Sequence, residues 1–244
     1  MTALLPPLPA ECFAVAEGLI GEIDGDAWPE EAEEVRKAVP PRQDEFHAGR
    51  TLARRALAAL GGPPAAILRG EAGAPLWPPG FTGSITHTGK AACAVAARST
   101  EVLSVGIDLE QHARFHPELE RRVLTASETK ALAGLDAGSR RFRLALAFSA
   151  KEAFYKMQFP LTGRRLGFHD AAVAQSGDVE GIFELTLLAS APPLARSSRF
   201  QGLWRLSGEF VAAAIWLPAE GCGAKSRTSR RSSAFRWSSV IRAP

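Results

Sequence analysis

The 244-residue sequence has little cysteine and no long hydrophobic run. Its three cysteines (Cys12, Cys93 and Cys222) are far apart, odd in number and form no CxxC pair, which indicates a reducing compartment and excludes a structural zinc site. No apolar run approaches the ~18 residues of a membrane span. Residues 1–9 lack basic side chains and are broken by prolines, unlike a signal peptide. We therefore expect a soluble cytoplasmic protein that makes no membrane contact.

Acidic residues are missing from residues 221–244, which hold six lysines and arginines. Without these six, 23 basic residues stand against 26 acidic residues, so residues 1–220 carry a formal charge of −3. The high pI near 9.0 is therefore a property of the end of the chain. We expect residues 220–244 to be a disordered basic tail rich in Ser and Arg, and we expect no nucleic-acid partner, because the body is mildly acidic and shows no basic stripe.

The order of predicted elements indicates an α+β fold with two similar lobes, and we expect a monomer. A helix is predicted over 44–60, ended by two glycines, and a second helix over 139–157. Residues 91–97 and 102–110 are predicted to pair as an antiparallel hairpin, because only a short connection separates them. Four more strands are expected near 172–174, 182–188, 203–206 and 210–217. The predicted boundaries are residues 1–112 for the N-terminal lobe and 113–219 for the C-terminal lobe.

Two carboxylates stand on one face of the predicted buried strand at 105–110. Successive strand side chains alternate in direction, so Asp108 and Glu110 point the same way, about 7 Å apart. Two such carboxylates repel each other unless a positive group lies between them, and Mg²⁺ with its oxygen ligands is the first candidate. The alternative is a solvated carboxylate beside one that pairs with an arginine.

The second predicted helix carries Glu152 and Lys156 four residues apart, on one face. Such a pair is also the commonest surface ion pair of helices. Ser149 and Glu152 alternatively fit the spacing of a capping box, but the apolar pattern continues upstream of Ser149, which argues against a helix start there.

Basic residues gather in the first half of the chain. Arg50 and Arg54 share a face of the first predicted helix, and Arg42 precedes it. His87 follows Thr86 at the end of a Gly-Ser-Ile-Thr segment, where hydroxyl, backbone N–H and imidazolium groups are suitable donors to a phosphate. The alternatives are a solvated charged helix face and a packed, hydrogen-bonded histidine.

Five motifs appear in order from Arg42 to Lys156. They are Arg42…Arg50, Ile67-Leu68-Arg69-Gly70 followed by Gly73-x-Pro75-x-Trp77-Pro78, Gly83-Ser84-Ile85-Thr86-His87, Gly106-Ile107-Asp108-Leu109-Glu110, and Phe148-Ser149-Ala150-Lys151-Glu152-Ala153-Phe154-Tyr155-Lys156. Together they closely resemble the 4′-phosphopantetheinyl transferases of the surfactin and enterobactin-synthetase type, and the enterobactin-like branch most closely.

The resemblance implies the two-lobed, pseudo-twofold fold of that family, with coenzyme A bound between the lobes and Mg²⁺ on its pyrophosphate. Residue by residue, it implies that Asp108, Glu110 and Glu152 are the metal ligands. It implies that His87, with Thr86, holds the 3′-phosphate of coenzyme A. The cations it places around the nucleotide and pyrophosphate are Arg42, Arg50, Arg69, Lys151 and Lys156, with Arg54 a weaker candidate.

The implied reaction moves phosphopantetheine from coenzyme A to a serine of an apo acyl carrier protein or peptidyl carrier domain and releases 3′,5′-ADP. Such chemistry depends on positioning and charge neutralisation, with Glu152 as a base and Lys156 beside the leaving phosphate. The enterobactin-like branch leans towards siderophore or secondary-metabolite biosynthesis. The same acidic and basic residues also suit a Mg²⁺-dependent phosphodiesterase or nuclease, and a non-catalytic binding protein of this fold is a further alternative.

Overall fold

The computed structural model describes residues 2–25, 27–177 and 180–219, so the predicted tail at 220–244 lies outside the described residues. It has an α+β fold with two antiparallel sheets. None of the helices in the described ranges is long and apolar enough to cross a membrane. The main elements are β1 (Phe13–Leu19), α1 (Pro29–Val35), α2 (Pro40–Ala59), β2 (Phe81–His87), β3 (Ala91–Arg98), β4 (Val102–Gln111), α3 (Glu120–Val123), α4 (Ala126–Ala131), α5 (Ala137–Thr162), β5 (Ala171–Gln175), β6 (Glu180–Leu187), β7 (Arg199–Ser207) and β8 (Phe210–Pro218).

The first sheet has the order β1-β3-β2, and its central strand β3 is buried except at its last residue. Small side chains allow layers to pack on both faces of β3. Ala92 and Ala94 contact Leu52 of α2, while the alternate residues Cys93 and Val95 belong to the apolar core that contains β4 and β8. The predicted first helix is confirmed as α2, which begins four residues earlier than predicted, with Pro40 in its first turn.

The second sheet has the order β4-β8-β7-β6-β5, and its first three strands repeat the order of the first sheet. In the first sheet β1 pairs with β3, and the long helix α2 lies between β1 and β2 in the chain. In the second sheet β4 pairs with β8 in the same way, and the long helix α5 lies between β4 and β7. The four strands expected after residue 170 are confirmed.

Helix α5 begins at the cap of Asp136, which accepts from Gly138 and Ser139 N–H groups, and ends at Gly163 with a φ of 63°. The expectation that no helix begins at Ser149 is confirmed, because Ser149 lies in the middle of α5.

The predicted hairpin of β3 with β4 is also wrong. Strand β3 is hydrogen-bonded on both edges, to β1 and to β2, which leaves it no edge for a third partner. Strand β4 pairs with β8 instead, with Asp108 opposite Ala213. The boundary proposed after residue 112 assigns β4 to the N-terminal lobe, whereas its hydrogen bonds join it to the second sheet.

Strands β2 and β4 meet where the two sheets come together. The Ser84 hydroxyl accepts from the Ile107 N–H at 3.0 Å, and the Thr86 hydroxyl accepts from the Leu109 N–H at 3.2 Å. These two bonds satisfy backbone groups along the outer edge of β4, with which no strand of the described residues pairs. They also bring the end of β2, with His87, beside the carboxylates of β4.

Candidate active site

Helix α5 crosses β4 at very short range. A Cβ at Gly106 would lie 1.8 Å from the Ala153 carbonyl oxygen, so only glycine permits this approach. Glycine therefore allows the α5 face that carries Glu152 and Lys156 to meet the β4 face that carries Asp108.

Asp108 is the centre of this contact and is 4% exposed. Its Oδ1 accepts from Lys156 Nζ at 2.7 Å and from Thr86 Oγ1 at 3.3 Å, while Lys156 Nζ also donates to the Ile107 carbonyl at 3.0 Å. Its Oδ2 is buried and has no hydrogen-bond partner among the described residues. An unpartnered carboxylate oxygen in such a place favours a cation or a donor from a ligand.

Glu110 and Glu152 lie within electrostatic reach of Asp108. Burial, followed by the charge of Asp108, raises the pKa of the Glu110 carboxyl to about 8. The same two causes raise the pKa of Glu152, and Lys156 opposes them. One lysine therefore does not offset three partly buried carboxylates, and an added cation would lower the free energy of this cluster.

A divalent metal fits the donors present, although its ligands are not preassembled. Among the described residues, no three His, Cys, Asp or Glu side chains are close enough together to hold a metal ion. Asp108, Glu110 and Glu152 nevertheless supply only carboxylate oxygens, which Mg²⁺ prefers, and Asp108 Oδ2 is unpartnered. The predicted metal set therefore requires a change of side-chain conformation at Glu110 or Glu152.

His87 meets a charged pair from α2. Arg42 Nη1 lies 2.7 Å from His87 Nε2 and donates to Glu45 Oε2 at 3.1 Å, and His87 Nδ1 lies 3.4 Å from the same carboxylate oxygen. Burial and then the charge of Arg42 lower the pKa of His87 to about 4. The structure thus brings Arg42, Thr86 and His87 into the neighbourhood of Asp108.

Two other predicted cations flank one aromatic ring. The guanidinium carbons of Arg50 and Arg69 lie 4.3 Å and 4.6 Å from the centre of the Phe46 ring. Burial lowers the pKa of Arg50 to about 10, and its Nε has no hydrogen-bond partner in the described part of the chain. Arg54, by contrast, pairs with the buried Glu31. Arg50 and Arg69 therefore place two positive charges beside one ring, with the carboxylates of Glu34 and Glu31 within electrostatic reach of Arg50.

Lys151 is not part of this site, contrary to the prediction. Its side chain is fully buried in the second lobe, and Nζ donates to Glu128 Oε2 at 2.8 Å, the Val123 carbonyl at 2.8 Å and the Phe168 carbonyl at 2.9 Å. An ammonium group has three N–H donors, so none is left for a pyrophosphate. Neighbouring helix positions differ by about 100° in direction, which turns Lys151 inwards while Glu152 faces β4.

A cleft of about 770 Å³ opens beside Glu152 and Lys156. Its lining combines apolar side chains such as Trp77, Ile85 and Phe159 with polar and charged ones, and its apolar surface only slightly exceeds its polar surface. The indole Nε1 of Trp77 is buried without a hydrogen-bond partner among the described residues. The cleft suits a long ligand that carries both apolar and polar groups.

Two important carboxylates were not predicted as parts of this arrangement. Glu45 contacts both Arg42 and His87, and its i, i+3 spacing from Arg42 was the available signal. Glu128 completes a capping box with Thr125, and it also binds Lys151 and the backbone N–H of Val173. No sequence spacing indicates those two long-range bonds.

Comparison with known proteins gives a consistent result over most of the chain. A family model described as 4′-phosphopantetheinyl transferase N-terminal domain matches residues 30–97, and a model of the 4′-phosphopantetheinyl transferase superfamily matches residues 104–214. The 4′-phosphopantetheinyl transferase Svp of Streptomyces mobaraensis is 38% identical over 226 residues, which cover 90% of this chain and 89% of that protein. PptT of Mycobacterium tuberculosis is 37% identical over 89% of this chain and 97% of its own. Enterobactin synthase component D of Salmonella typhi is 37% identical over 53% of each chain.

Proposed function

The chain belongs to the 4′-phosphopantetheinyl transferase superfamily, and from this we propose that it transfers the phosphopantetheine group of coenzyme A to a serine of an apo carrier protein. The proposal rests on one observation: side chains of opposite charge lie close together beside one cleft. A carboxylate cluster around Asp108 and Lys156 adjoins the cationic residues of α2 and the end of β2. A pyrophosphate ester of a long thiol chain fits this site, because its phosphates match the charged side chains and its chain matches the cleft.

We place the pyrophosphate of coenzyme A at Asp108, Glu110, Glu152 and Lys156, with a Mg²⁺ ion held by the three carboxylates. When bound, the metal would offset the pyrophosphate charge and orient it. The carboxylate oxygens and the unpartnered Asp108 Oδ2 support this assignment. We assign the adenosine phosphates to Arg42, Arg50, Arg69 and His87, with Thr86 beside them. We assign the pantetheine arm to the cleft that opens beside Glu152 and Lys156.

The reaction exchanges the phosphoanhydride bond of the pyrophosphate for a phosphate ester bond to serine. The serine oxygen of the carrier forms a bond to the phosphorus next to the pantetheine, and the bond from that phosphorus to the bridging oxygen of 3′,5′-ADP breaks. The serine proton goes to Glu152, the carboxylate that lies one helical turn before Lys156 on α5. Lys156 donates to the oxygen on which negative charge develops as 3′,5′-ADP leaves.

The wider setting follows from the sequence and the relatives. We propose that the enzyme acts as a cytoplasmic monomer, binds no nucleic acid, and serves carriers of siderophore or other secondary-metabolite synthesis. The match to an enterobactin synthase component supports the last point.

The test is intact mass spectrometry of an apo carrier protein incubated with the enzyme, coenzyme A and Mg²⁺. We expect a gain of one phosphopantetheine on the carrier, lost when EDTA is added. Asp24→Asn, at an exposed residue, is the control for any carboxylate-to-amide substitution in the site. No mass gain on acyl and peptidyl carriers, together with phosphodiester cleavage that does not need coenzyme A, would support the phosphodiesterase alternative instead.

A further inference from the structure

Glu45 lies beside two of the residues assigned to the adenosine phosphates. Arg42 and His87 both approach one of its carboxylate oxygens. Oε2 accepts from Arg42 Nη1 at 3.1 Å and lies 3.4 Å from His87 Nδ1. The Glu45 and His87 side chains are about three-quarters shielded, with 22% and 24% exposed. The ion pairs within this group are therefore less screened than those on an open surface.

The geometry specifies which nitrogen of His87 carries the proton. A guanidinium group only donates hydrogen bonds, so His87 Nε2, 2.7 Å from Arg42 Nη1, must accept. The proton of the neutral ring is then on Nδ1, which lies 3.4 Å from Glu45 Oε2 without a hydrogen bond to it. In this state the ring presents a lone pair at Nε2 and not a donor.

A phosphate has only acceptor oxygens at neutral pH and cannot bond to a lone pair on Nε2. His87 donates to a phosphate only when Nε2 carries a proton, which a second proton from solvent supplies together with a positive charge, while Arg42 turns its N–H towards the same ligand. The resulting imidazolium would lie among three cations, Arg42 and Arg50 from α2 and Lys156 from α5. Among the charges of the described residues that act most strongly on this ring, that of Glu45 favours its protonation.

We propose that Glu45 is a positioning residue for phosphate recognition: its carboxylate, 3.4 Å from Nδ1, supplies the charge that allows Nε2 of His87 to be protonated when the phosphate binds. This inference rests on the proposed function, because the phosphate is that of coenzyme A. Its consequence is that binding is linked to the uptake of one proton at His87.

Burial and the neighbouring cations support the linkage. They lower the pKa of His87 to about 4 in the ligand-free protein, so the ring is neutral at pH 7. A bound phosphate adds negative charge beside Nε2 and raises this pKa by roughly 1–3 units. Between the two pKa values the affinity for the phosphate falls as the pH rises, because fewer protons are available for uptake.

The first measurement is an NMR titration of the His87 ring with 3′,5′-ADP as the probe. We expect a pKa near 4 in the free protein and a clear rise in the complex. In Glu45→Gln we expect the bound-state pKa to be lower by about one unit, which corresponds to a tenfold loss in affinity. Glu33→Gln is a matched control, since Glu33 forms an i, i+3 pair with Arg36 that is more than 60% exposed.

The second measurement is the pH dependence of KM for coenzyme A. We expect KM of Glu45→Gln to rise above that of wild type as the pH falls below the bound-state pKa, by at most about tenfold where the pH lies below the bound-state pKa of both proteins, with kcat unchanged. The difference should disappear above the bound-state pKa, where His87 is neutral in both proteins. In a His87→Gln background, Glu45→Gln should have no additional pH-dependent effect.

Two outcomes separate the inference from the function. A KM difference that is the same at every pH, or an unchanged bound-state pKa in Glu45→Gln, would overturn the role of Glu45 while the wild-type enzyme still modifies its carrier. Failure of the wild-type protein to bind 3′,5′-ADP and to modify any carrier would overturn the proposed function and this inference with it.

Discussion

Replacing Lys151 by methionine tests whether this lysine is a structural residue or a phosphate ligand. Methionine keeps most of the apolar volume of the lysine stem and removes the charge. Glu128 would remain 8% exposed and still accept from Thr125 and Val173, but it would lose its only ion-pair partner among the described residues. Removal of one partner of a buried pair typically costs about 3–5 kcal/mol.

For a chain of this size each kcal/mol lowers Tm by about 2–4 °C, so we expect Lys151→Met to melt roughly 10 °C below wild type. The assay is calorimetry together with KM for coenzyme A measured at a temperature at which both proteins are folded. We expect KM to stay within about twofold of wild type, because no Lys151 donor faces the site. Lys130→Met, at an exposed position of α4, is the control.

The double variant Lys151→Met with Glu128→Gln distinguishes the electrostatic cause from a loss of packing. It leaves no unpaired charge, so we expect it to recover part of the lost stability. A large increase in KM for Lys151→Met without a fall in Tm would refute this reasoning and would return Lys151 to the list of pyrophosphate ligands.

Four other predictions follow from the site and the chain. Asp108→Ala should abolish transfer and weaken Mg²⁺-dependent binding of coenzyme A, measured by calorimetric titration; normal turnover would contradict the metal assignment. Lys156→Ala should lower kcat strongly while coenzyme A still binds, with Lys130→Ala as the control. The pKa of Glu110 is about 8 in the folded protein against 4.5 for an ordinary glutamate, so the folded state retains a proton that the unfolded chain has lost between these values. Stability of the metal-free protein should thus fall from pH 5 to pH 8, and the increase in Tm on adding Mg²⁺ should be larger at pH 8 than at pH 6. Deletion of residues 221–244 should leave transfer intact in the same mass assay; a loss would show that the basic tail takes part in folding or in carrier docking.

Local pattern was sufficient for most elements but not for the pairing of strands. The helix around Arg50 and the strands after residue 170 were predictable, because apolar spacing and glycine boundaries are local signals. The partner of β4 was not predictable, since a short connection is equally compatible with a hairpin and with a step to another sheet. The choice depends on β3 being already paired on both edges.

The sequence by itself determined the chemistry that the site contains. The alternation of Asp108 and Glu110 and the one-turn spacing of Glu152 and Lys156 follow from strand and helix geometry, and the order of the motifs identified the family. Only the tertiary structure decided which charges meet. It turned Lys151 into the core, joined Lys156 to Asp108, and placed Glu45 between Arg42 and His87. The physical reason is that these contacts depend on the approach of α5 to β4 and of α2 to β2, between residues that are distant in the chain.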